Sequence, residues 1–381
     1  MKVININYSE IVIKGRNRSE FERKLIENIQ TALKKESYEK ISKKETRILI
    51  FLNEKSNIEK ISEKLKKIFG IRWFSFAHIV EKDVDQIEKI VVEESLKRYK
   101  GKTIKLETKR ADKSFPMTSM ELSKKIGQEM EKKGLKVDLE NPDIRLYIAI
   151  LHKDALVSVK RIEGIGGLPV GTAGKVLCLF SGGIDSPVAA WLMMKRGCDI
   201  DFIHFHPFPS NEKVKDSKIV KLLKELQDYS PEKFKLFIVP HKQFFRKTPE
   251  ILRKYELVVF RRFIIKVANE IAKKENYKAL VTGDNLAQVA SQTLENLSTT
   301  NEASEIPIFR PLLTYDKEEI IHLARKIGTY RTSLEEYKDC CSLVAVKSPA
   351  TKSKLEKAKT IEEKIKIDEV VEKTLKEIEL I

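Results

Sequence analysis

The 381-residue chain has little cysteine, histidine or tryptophan: 4, 6 and 2 residues respectively. Cys178, Cys198, Cys340 and Cys341 are too few and too scattered for a disulfide scaffold. No C-x-x-C spacing occurs, which argues against a zinc ribbon or a cysteine-only iron–sulfur site, and no H-E-x-x-H occurs either. Long apolar runs are absent too; none approaches the roughly 18 residues a membrane span needs. The opening MKVININYSEIVIKG reads as a strand, without the apolar core or cleavage site of a secretion signal. These absences make the cytoplasm the expected location and exclude a membrane as partner. With 41% hydrophobic and 34% charged residues, the chain is neither collagen-like nor disordered.

What it has is positive charge. Lys and Arg number 73 against 56 Asp and Glu, a net charge of +17. Residues 1–170 hold 37 basic and 26 acidic residues (+11), and residues 171–381 hold 36 and 30 (+6). A basic front half fits a polyanionic partner, nucleic acid first. A thermophile surface rich in Lys and Glu would give a similar composition.

At about 150 residues per domain the length predicts two or three domains. The first 75 residues alternate strand and helix: Lys2–Tyr8, a helix with Phe21, Leu25, Ile29 and Leu33 four apart, strand Thr46–Leu52, a helix through Ile58, Ile61, Leu65 and Ile68, and strand Trp73–Ile79. This is a ferredoxin-like α+β pattern. A second α+β unit follows, with a helix from about Val84 to Tyr99 and strand Thr103–Thr108 running into the basic stretch Lys109-Arg110-Ala111-Asp112-Lys113. A helix with Leu122, Ile126 and Met130, then strands Ile144–Leu151 and Ala155–Val159, complete it. The Gly-rich Glu163–Pro169 reads as a linker.

From Lys175 short apolar strands (Val176–Phe180, Ile200–His206, Phe234–Val239, Ala279–Thr282) alternate with helical stretches. This predicts a doubly wound parallel α/β domain with its ligand site at the strands' carboxyl ends. The Lys/Glu-rich tail from Lys352 reads as helical, adding no new core. The expected domains are 1–75, 76–165 and 175–381, with 166–174 as linker.

The residues most suggestive of chemistry follow strand Val176–Phe180: Ser181-Gly182-Gly183-Ile184-Asp185-Ser186, with Pro187 in the first helical turn. Glycines let backbone approach an anion, and a helix N-terminus offers unpaired N–H groups and a positive dipole. Ser181 and Ser186 add hydroxyl donors, and Asp185 adds a carboxylate suited to a phosphate-bound Mg²⁺. The loop is not a Walker A motif, which needs G-x-x-x-x-G-K-[ST], nor a G-x-G-x-x-G.

This hexapeptide resembles the pyrophosphatase (PP) loop of enzymes that split ATP into AMP and pyrophosphate. GGLPVGTAGKV (Gly166–Val176), SGGIDSPVAAWLMMKRG, TGDNLAQVASQTLENL (Thr282–Leu297), RPLLTYDKEEI (Arg310–Ile320) and Asp339-Cys340-Cys341 together resemble the tRNA 4-thiouridine synthase (tRNA sulfurtransferase) family. The likeness runs along essentially the whole chain. It implies that residues 1–75 are the family's ferredoxin-like domain, that residues 76–165 are a THUMP RNA-binding domain with Lys109, Arg110 and Lys113 in its RNA-contacting stretch, and that residues 175–381 are a PP-loop ATP pyrophosphatase domain.

The resemblance implies ATP at Leu179, Phe180, Ser181, Gly182, Gly183, Asp185, Ser186, His204, Phe205, Arg261, Gly283 and Gln292. Leu179-Phe180 and His204-Phe205 end adjacent strands, where adenine can stack; a histidine satisfied in the core is the other reading of His204. Arg261 can pair with phosphate, or with Arg262 face RNA. Gly283 either makes room for ligand or is a plain turn, and Gln292 reads a base edge or lies on an exposed helix face. Lys317 matches a catalytic-site lysine that would offset the charge of departing pyrophosphate. A functional cysteine falls at Cys340-Cys341, with Cys341 the preferred match. Cys178 and Cys198 read as core residues.

Many relatives continue into a rhodanese domain whose loop cysteine carries persulfide, whereas this chain ends at Ile381. A cysteine desulfurase or another persulfide donor, or Cys341 itself, is then expected to deliver sulfur. The family further implies ATP and Mg²⁺ as cofactors, tRNA as partner, a homodimer, action on uridine 8, and a part in thiamine thiazole synthesis. Two other readings compete: a different adenylating tRNA-modifying enzyme or amide ligase, which leaves Cys340-Cys341 unexplained, and a non-enzymatic RNA-binding protein, which leaves the intact loop unexplained.

Overall fold

A computed structural model describes residues 2–338, 340 and 350–381. The chain divides into two compact units, Met1–Leu168 and Pro169–Ile381.

In the first unit lie β1 (Lys2–Tyr8), α1 (Arg18–Ala32), β2 (Lys40–Lys44), β3 (Arg47–Phe51), α2 (Ile58–Leu65), β4 (Ile71–Glu81), α3 (Val84–Arg98), β5 (Thr103–Arg110), α4 (Ser119–Lys132), β6 (Lys136–Val137), β7 (Ile144–Ile150) and β8 (Asp154–Glu163). The two α+β patterns share one eight-stranded sheet, ordered β2-β3-β1-β4-β8-β7-β5-β6. The seam is the antiparallel pair β4–β8, from Trp73↔Glu163 to Glu81↔Asp154. One core gathers Phe21, Leu25, Ile29 and Leu33 of the first helical stripe with Ile4, Ile6, Ile48 and Ile50. A second packs Leu122, Ile126 and Met130 against Ile104, Leu146 and Ile148. A third cluster, including Val3, Leu49, Phe51 and Leu156, forms from the alternate strand positions. Near it the β2–β3 and β7–β8 turns meet through Lys44 with Asp154 and the His152 N–H donated to Glu45.

The Gly-rich segment is no loose tether. The Gly166 N–H donates to Ile71 O, its carbonyl accepts from Gly70, and Leu168 is buried in the first core. A Cβ on Gly164 would stand 2.2 Å from the Ile71 carbonyl oxygen, so only glycine fits there.

The second unit holds β9 (Lys175–Leu179), α5 (Asp185–Lys195), β10 (Asp199–His206), α6 (Lys218–Gln227), β11 (Leu236–Pro240), α7 (Glu256–Glu275), β12 (Ala279–Val281), α8 (Leu294–Asn301), β13 (Ile308–Phe309), α9 (Lys317–Ile327), α10 (Leu355–Lys364), α11 (Ile367–Leu375) and β14 (Glu379–Leu380). Its sheet runs β13-β12-β9-β10-β11-β14. The first five strands are parallel and only β14 is antiparallel. Strand order reverses between β9 and β12, which makes the carboxyl ends of those two strands the topological switch point.

The tail corrects the sequence reading. Ala358, Ile361, Ile365, Ile367, Val370 and Val371 join the main core beside Phe260 and Phe263, and Glu362 is 5% exposed. Most of the Lys/Glu content lies on the outer faces of α10 and α11, with Glu362 the buried exception.

Candidate active site

The loop between β9 and α5 and the loop after β12 meet at the switch point. They line a cleft of about 240 Å³. Its apolar wall includes Leu179, Phe180, Phe205 and Ile264; its polar wall includes Ser181, Asp185, Ser186, Arg261 and Gln292. A planar apolar group suits one wall and an anion suits the other.

Short-range hydrogen bonds shape the first loop. Ser186 Oγ accepts the Ser181 N–H at 3.0 Å and donates to the Ser181 carbonyl at 2.9 Å. The Gly183 N–H reaches Ser181 Oγ at 3.4 Å. No side chain caps the first turn of α5, which leaves amide donors and the positive helix end available to an anion. Lys317 Nζ, from the start of α9, stands 2.7 Å from Asp185 Oδ1. The Gln288 amide donates to Asp185 Oδ2 at 3.2 Å. Lys317 and Asp185, 132 residues apart, are therefore one feature. An Asp316/Glu319 capping box fixes the helix start that carries Lys317.

The second loop needs its glycine. A Cβ on Gly283 would lie 2.9 Å from the Ser186 nitrogen and 3.0 Å from the Asp185 carbonyl carbon, both backbone atoms. The missing side chain of Gly283 makes room for the first turn of α5. Next to it sits Asp284, 5% exposed, which sequence reasoning passed over. It accepts from Arg261 Nη2 at 2.5 Å, Thr282 Oγ1 at 2.8 Å, Arg310 Nε at 3.3 Å and Gln292 Nε2 at 3.4 Å. Burial pushes its carboxyl pKa up, but Arg261, Thr282 and Arg310 together outweigh burial and hold it below the usual range. Asp284 aims Arg261 and Gln292 into the cleft. The available signal was the position of Asp284 beside Gly283 in TGDN.

Gln292 closes a single 3₁₀ turn, Ala290–Gln292, rather than lying on an exposed helix face. Its Oε1 is buried without a hydrogen-bond partner. Arg261 and Arg262 lie inside α7, which starts at Glu256, and they part company. Arg261 lines the cleft; Arg262 is 2% exposed and pairs with Glu362, so it does not face RNA.

His204 is 1% exposed and does not line the cleft. Its Nδ1 lies 2.8 Å from the Phe180 carbonyl and its Nε2 lies 2.7 Å from the Tyr337 hydroxyl. A carbonyl only accepts, so Nδ1 carries the proton and Nε2 accepts from Tyr337. Burial lowers its pKa to about 4, which keeps it neutral at physiological pH.

Cys340, 1% exposed, lies in the cleft wall. Cys341 lies outside the described residues. Cys178 and Cys198 are buried away from the cleft, and burial pushes the Cys198 thiol up to about 11.

In the first unit Lys109 and Arg110 lie at the end of β5, which runs two residues further than the sequence suggested. The Arg110 guanidinium donates to the Phe115 and Met117 carbonyls at 3.1 and 2.7 Å. It holds the following turn, while Lys109 and Lys113 are exposed.

A parallel sheet with an S-G-G-x-D-S loop at its switch point, facing a T-G-D-N loop, defines the PP-loop class of α/β domains. Residues 171–367 match the family model described as thiamine biosynthesis protein (ThiI), residues 3–75 its ferredoxin-like domain, and residues 81–160 the THUMP domain. The chain belongs to the ThiI family of tRNA sulfurtransferases. It is 44% identical to the probable tRNA sulfurtransferase of Thermoanaerobacter sp. (strain X514), across 99% of this chain and 98% of that one. It is 39% identical to that of Alkaliphilus oremlandii (strain OhILAs), across 99% and 97%. Among solved structures it resembles a 4-thiouridine synthetase in complex with RNA and bound ATP, with a TM-score of 0.88 and 35% identity over 100% of this chain and 99% of that one.

Proposed function

We propose that the chain is an ATP-dependent tRNA sulfurtransferase that converts a tRNA uridine, at position 8, to 4-thiouridine. The observation that carries this reading is the placing of Cys340 in the wall of the cleft that the SGGIDS loop lines. An amide ligase would need that loop but no thiol beside it. Adenine fits the wall of Leu179, Phe180 and Phe205, and the phosphates fit the start of α5, Ser181, Arg261 and Lys317.

Uridine O4, made nucleophilic as the N3 proton leaves, attacks the α-phosphorus of ATP and expels pyrophosphate. The cationic groups offset the charge that develops on the leaving group. Hydrosulfide then adds at C4, and AMP departs with the O4–C4 bond. With a protein persulfide as donor, the terminal sulfur adds instead, and a second thiol cleaves the sulfur–sulfur bond. That route leaves a disulfide for an external dithiol to reduce. In this reading Cys341 or Cys340 carries or resolves the persulfide, a desulfurase-type donor supplies it, and the working form is a homodimer. The family assignment adds sulfur delivery for thiamine's thiazole ring.

Among the described residues no three His, Cys, Asp or Glu gather. Asp185, whose side chain is 23% exposed, would serve as the protein carboxylate to a cation carried by nucleotide phosphates and water. When bound, Mg²⁺ neutralises phosphate charge.

The deciding test is nucleoside analysis of tRNA incubated with ATP and sulfide. The wild type should form 4-thiouridine with release of AMP. Asp185→Ala, folded by circular dichroism, should lose AMP formation by about 100-fold or more, the scale of a lost transition-state contact. AMP formation at the wild-type rate in that variant would remove Asp185 from the chemistry.

Binding of tRNA should involve the exposed Lys109 and Lys113. Charge reversal at either should weaken binding and lower the slope of log affinity against log salt by about 1. Equal slopes for variant and wild type would take those lysines out of the interface.

The cysteines should separate by role. Cys198→Ser should leave thiolation near wild type, because a thiol pushed up to about 11 is almost wholly protonated at neutral pH. Cys341→Ser should stop thiolation from a protein persulfide while AMP formation continues. Full persulfide-driven thiolation by that variant would exclude Cys341 from sulfur handling.

A further inference from the structure

The segment before Cys340 is held near the SGGIDS loop by Lys218 of α6, by a hydrogen bond to His204 of β10 and by packing at Gly182. Lys218 Nζ, at the start of α6 and 8% exposed, donates to the Ser333 and Glu335 carbonyls at 2.8 and 2.6 Å. The Tyr337 hydroxyl donates to His204 Nε2, while His204 Nδ1 donates to the carbonyl of Phe180, the residue that enters the loop. The third point is Gly182. A Cβ there would come within 2.7 Å of Lys218 Cε and 3.3 Å of the Tyr337 ring. Glycine at this loop position thus lets a lysine stem and a tyrosine ring pack directly against the loop whose Ser181, Asp185 and Ser186 line the cleft. Phe208 holds the same ring edge-on, with centroids 5.4 Å apart.

A hydrogen-bonded path accordingly runs from the Phe180 carbonyl through His204 to Tyr337, three residues before the cysteine in the cleft wall. Resting on the function proposed above, we infer that Tyr337 is a positioning residue that couples nucleotide occupancy of the SGGIDS loop to the placement of residues 333–338, and through them of Cys340. When phosphates draw the loop amides, the strain passes to Phe180 and Gly182, and the segment follows. Filling the loop then tightens the hold on the thiol already in the cleft wall, so adenylation precedes sulfur attack.

The test uses Tyr337→Phe in the full chain, which removes one oxygen and keeps the ring under Gly182. In one arm, amide hydrogen exchange is followed by mass spectrometry over residues 333–338, with and without α,β-methylene ATP. The analogue should slow exchange about fivefold in the wild type, the factor one net hydrogen bond represents, and leave Tyr337→Phe unchanged. In the other arm, AMP and 4-thiouridine are measured on the same samples with sulfide as donor. Tyr337→Phe should keep AMP formation within about twofold and yield about fivefold less 4-thiouridine per AMP, again the factor of one hydrogen bond.

Equal slowing in wild type and variant overturns the coupling, as does no slowing in the wild type or a parallel fall of AMP and product. Lys218→Met, which loosens the same segment from α6, is run alongside; nucleotide slowing that persists in both variants also overturns it. A wild type that forms no 4-thiouridine defeats the proposed activity instead, and the exchange arm still decides the coupling.

Discussion

Gly283→Ala should cut AMP formation by about 100-fold or more, since displacing reacting groups by about 1 Å is enough for such a loss. The added methyl would press on the Ser186 nitrogen and the Asp185 carbonyl carbon at 2.9 and 3.0 Å. Neither atom belongs to a flexible side chain that can swing away. The β12 loop must back off the first turn of α5, carrying Asp284 and its hold on Arg261 with it. The defect should appear mainly in catalysis, with little change in melting temperature, because the strain is confined to two loops at the sheet's edge of function. Wild-type AMP formation by folded Gly283→Ala would show that the two loops need not touch.

The second large effect is on stability. Arg262→Ala should destabilise the Pro169–Ile381 unit by about 3–5 kcal/mol, the range for breaking a buried ion pair by removing one partner. For a unit of this size that lowers the melting temperature by roughly 10 °C. Arg262 holds Glu362 through two contacts of 2.7 and 3.0 Å, and also donates to the Thr299 carbonyl at 2.5 Å and to Glu302 at 2.9 Å. The alanine variant strands Glu362 in the core. The double change Arg262→Met with Glu362→Leu should recover much of the loss, because no buried charge remains unpaired. Calorimetry of the two variants beside the wild type checks this. An Arg262→Ala melting temperature equal to wild type would mean that the pair contributes nothing.

Those two residues also mark what the sequence did and did not disclose. Strands β9, β10 and β12 were legible because strands buried on both faces, such as Val176-Leu177-Cys178, run apolar without alternation. The loop was legible because glycine, serine and aspartate stood together between a strand and a helix. Gly283 and Gln292 were found through resemblance, but the reason for Gly283, a backbone contact with a turn nearly 100 residues upstream, has no local signature. Asp284 looked like any turn aspartate. Its burial depends on Arg261 and Arg310, which arrive from two other elements. The tail misled for the same reason: Ile361, Ile365 and Val370 are diluted by lysine and glutamate, and the core they complete lies on α7. Short β2, β13 and β14 exist by pairing alone. Lys218 and Tyr337 carried no signal, because a lysine and a tyrosine in polar stretches read as solvated surface.

The β4–β8 seam has a consequence for how the first unit comes apart. Its two halves resemble separate modules in sequence, yet Trp73–Glu81, paired on one side with β1, finds its second partner only when the chain returns some eighty residues later at Asp154–Glu163. Once either half melts, the other keeps its β1–β4 or β7–β8 pairing but loses its partner along the seam, and closing so long a loop must precede that pairing. Unfolding therefore couples the two halves into a single cooperative block, and a cut placed between them yields two exposed sheet edges rather than two domains.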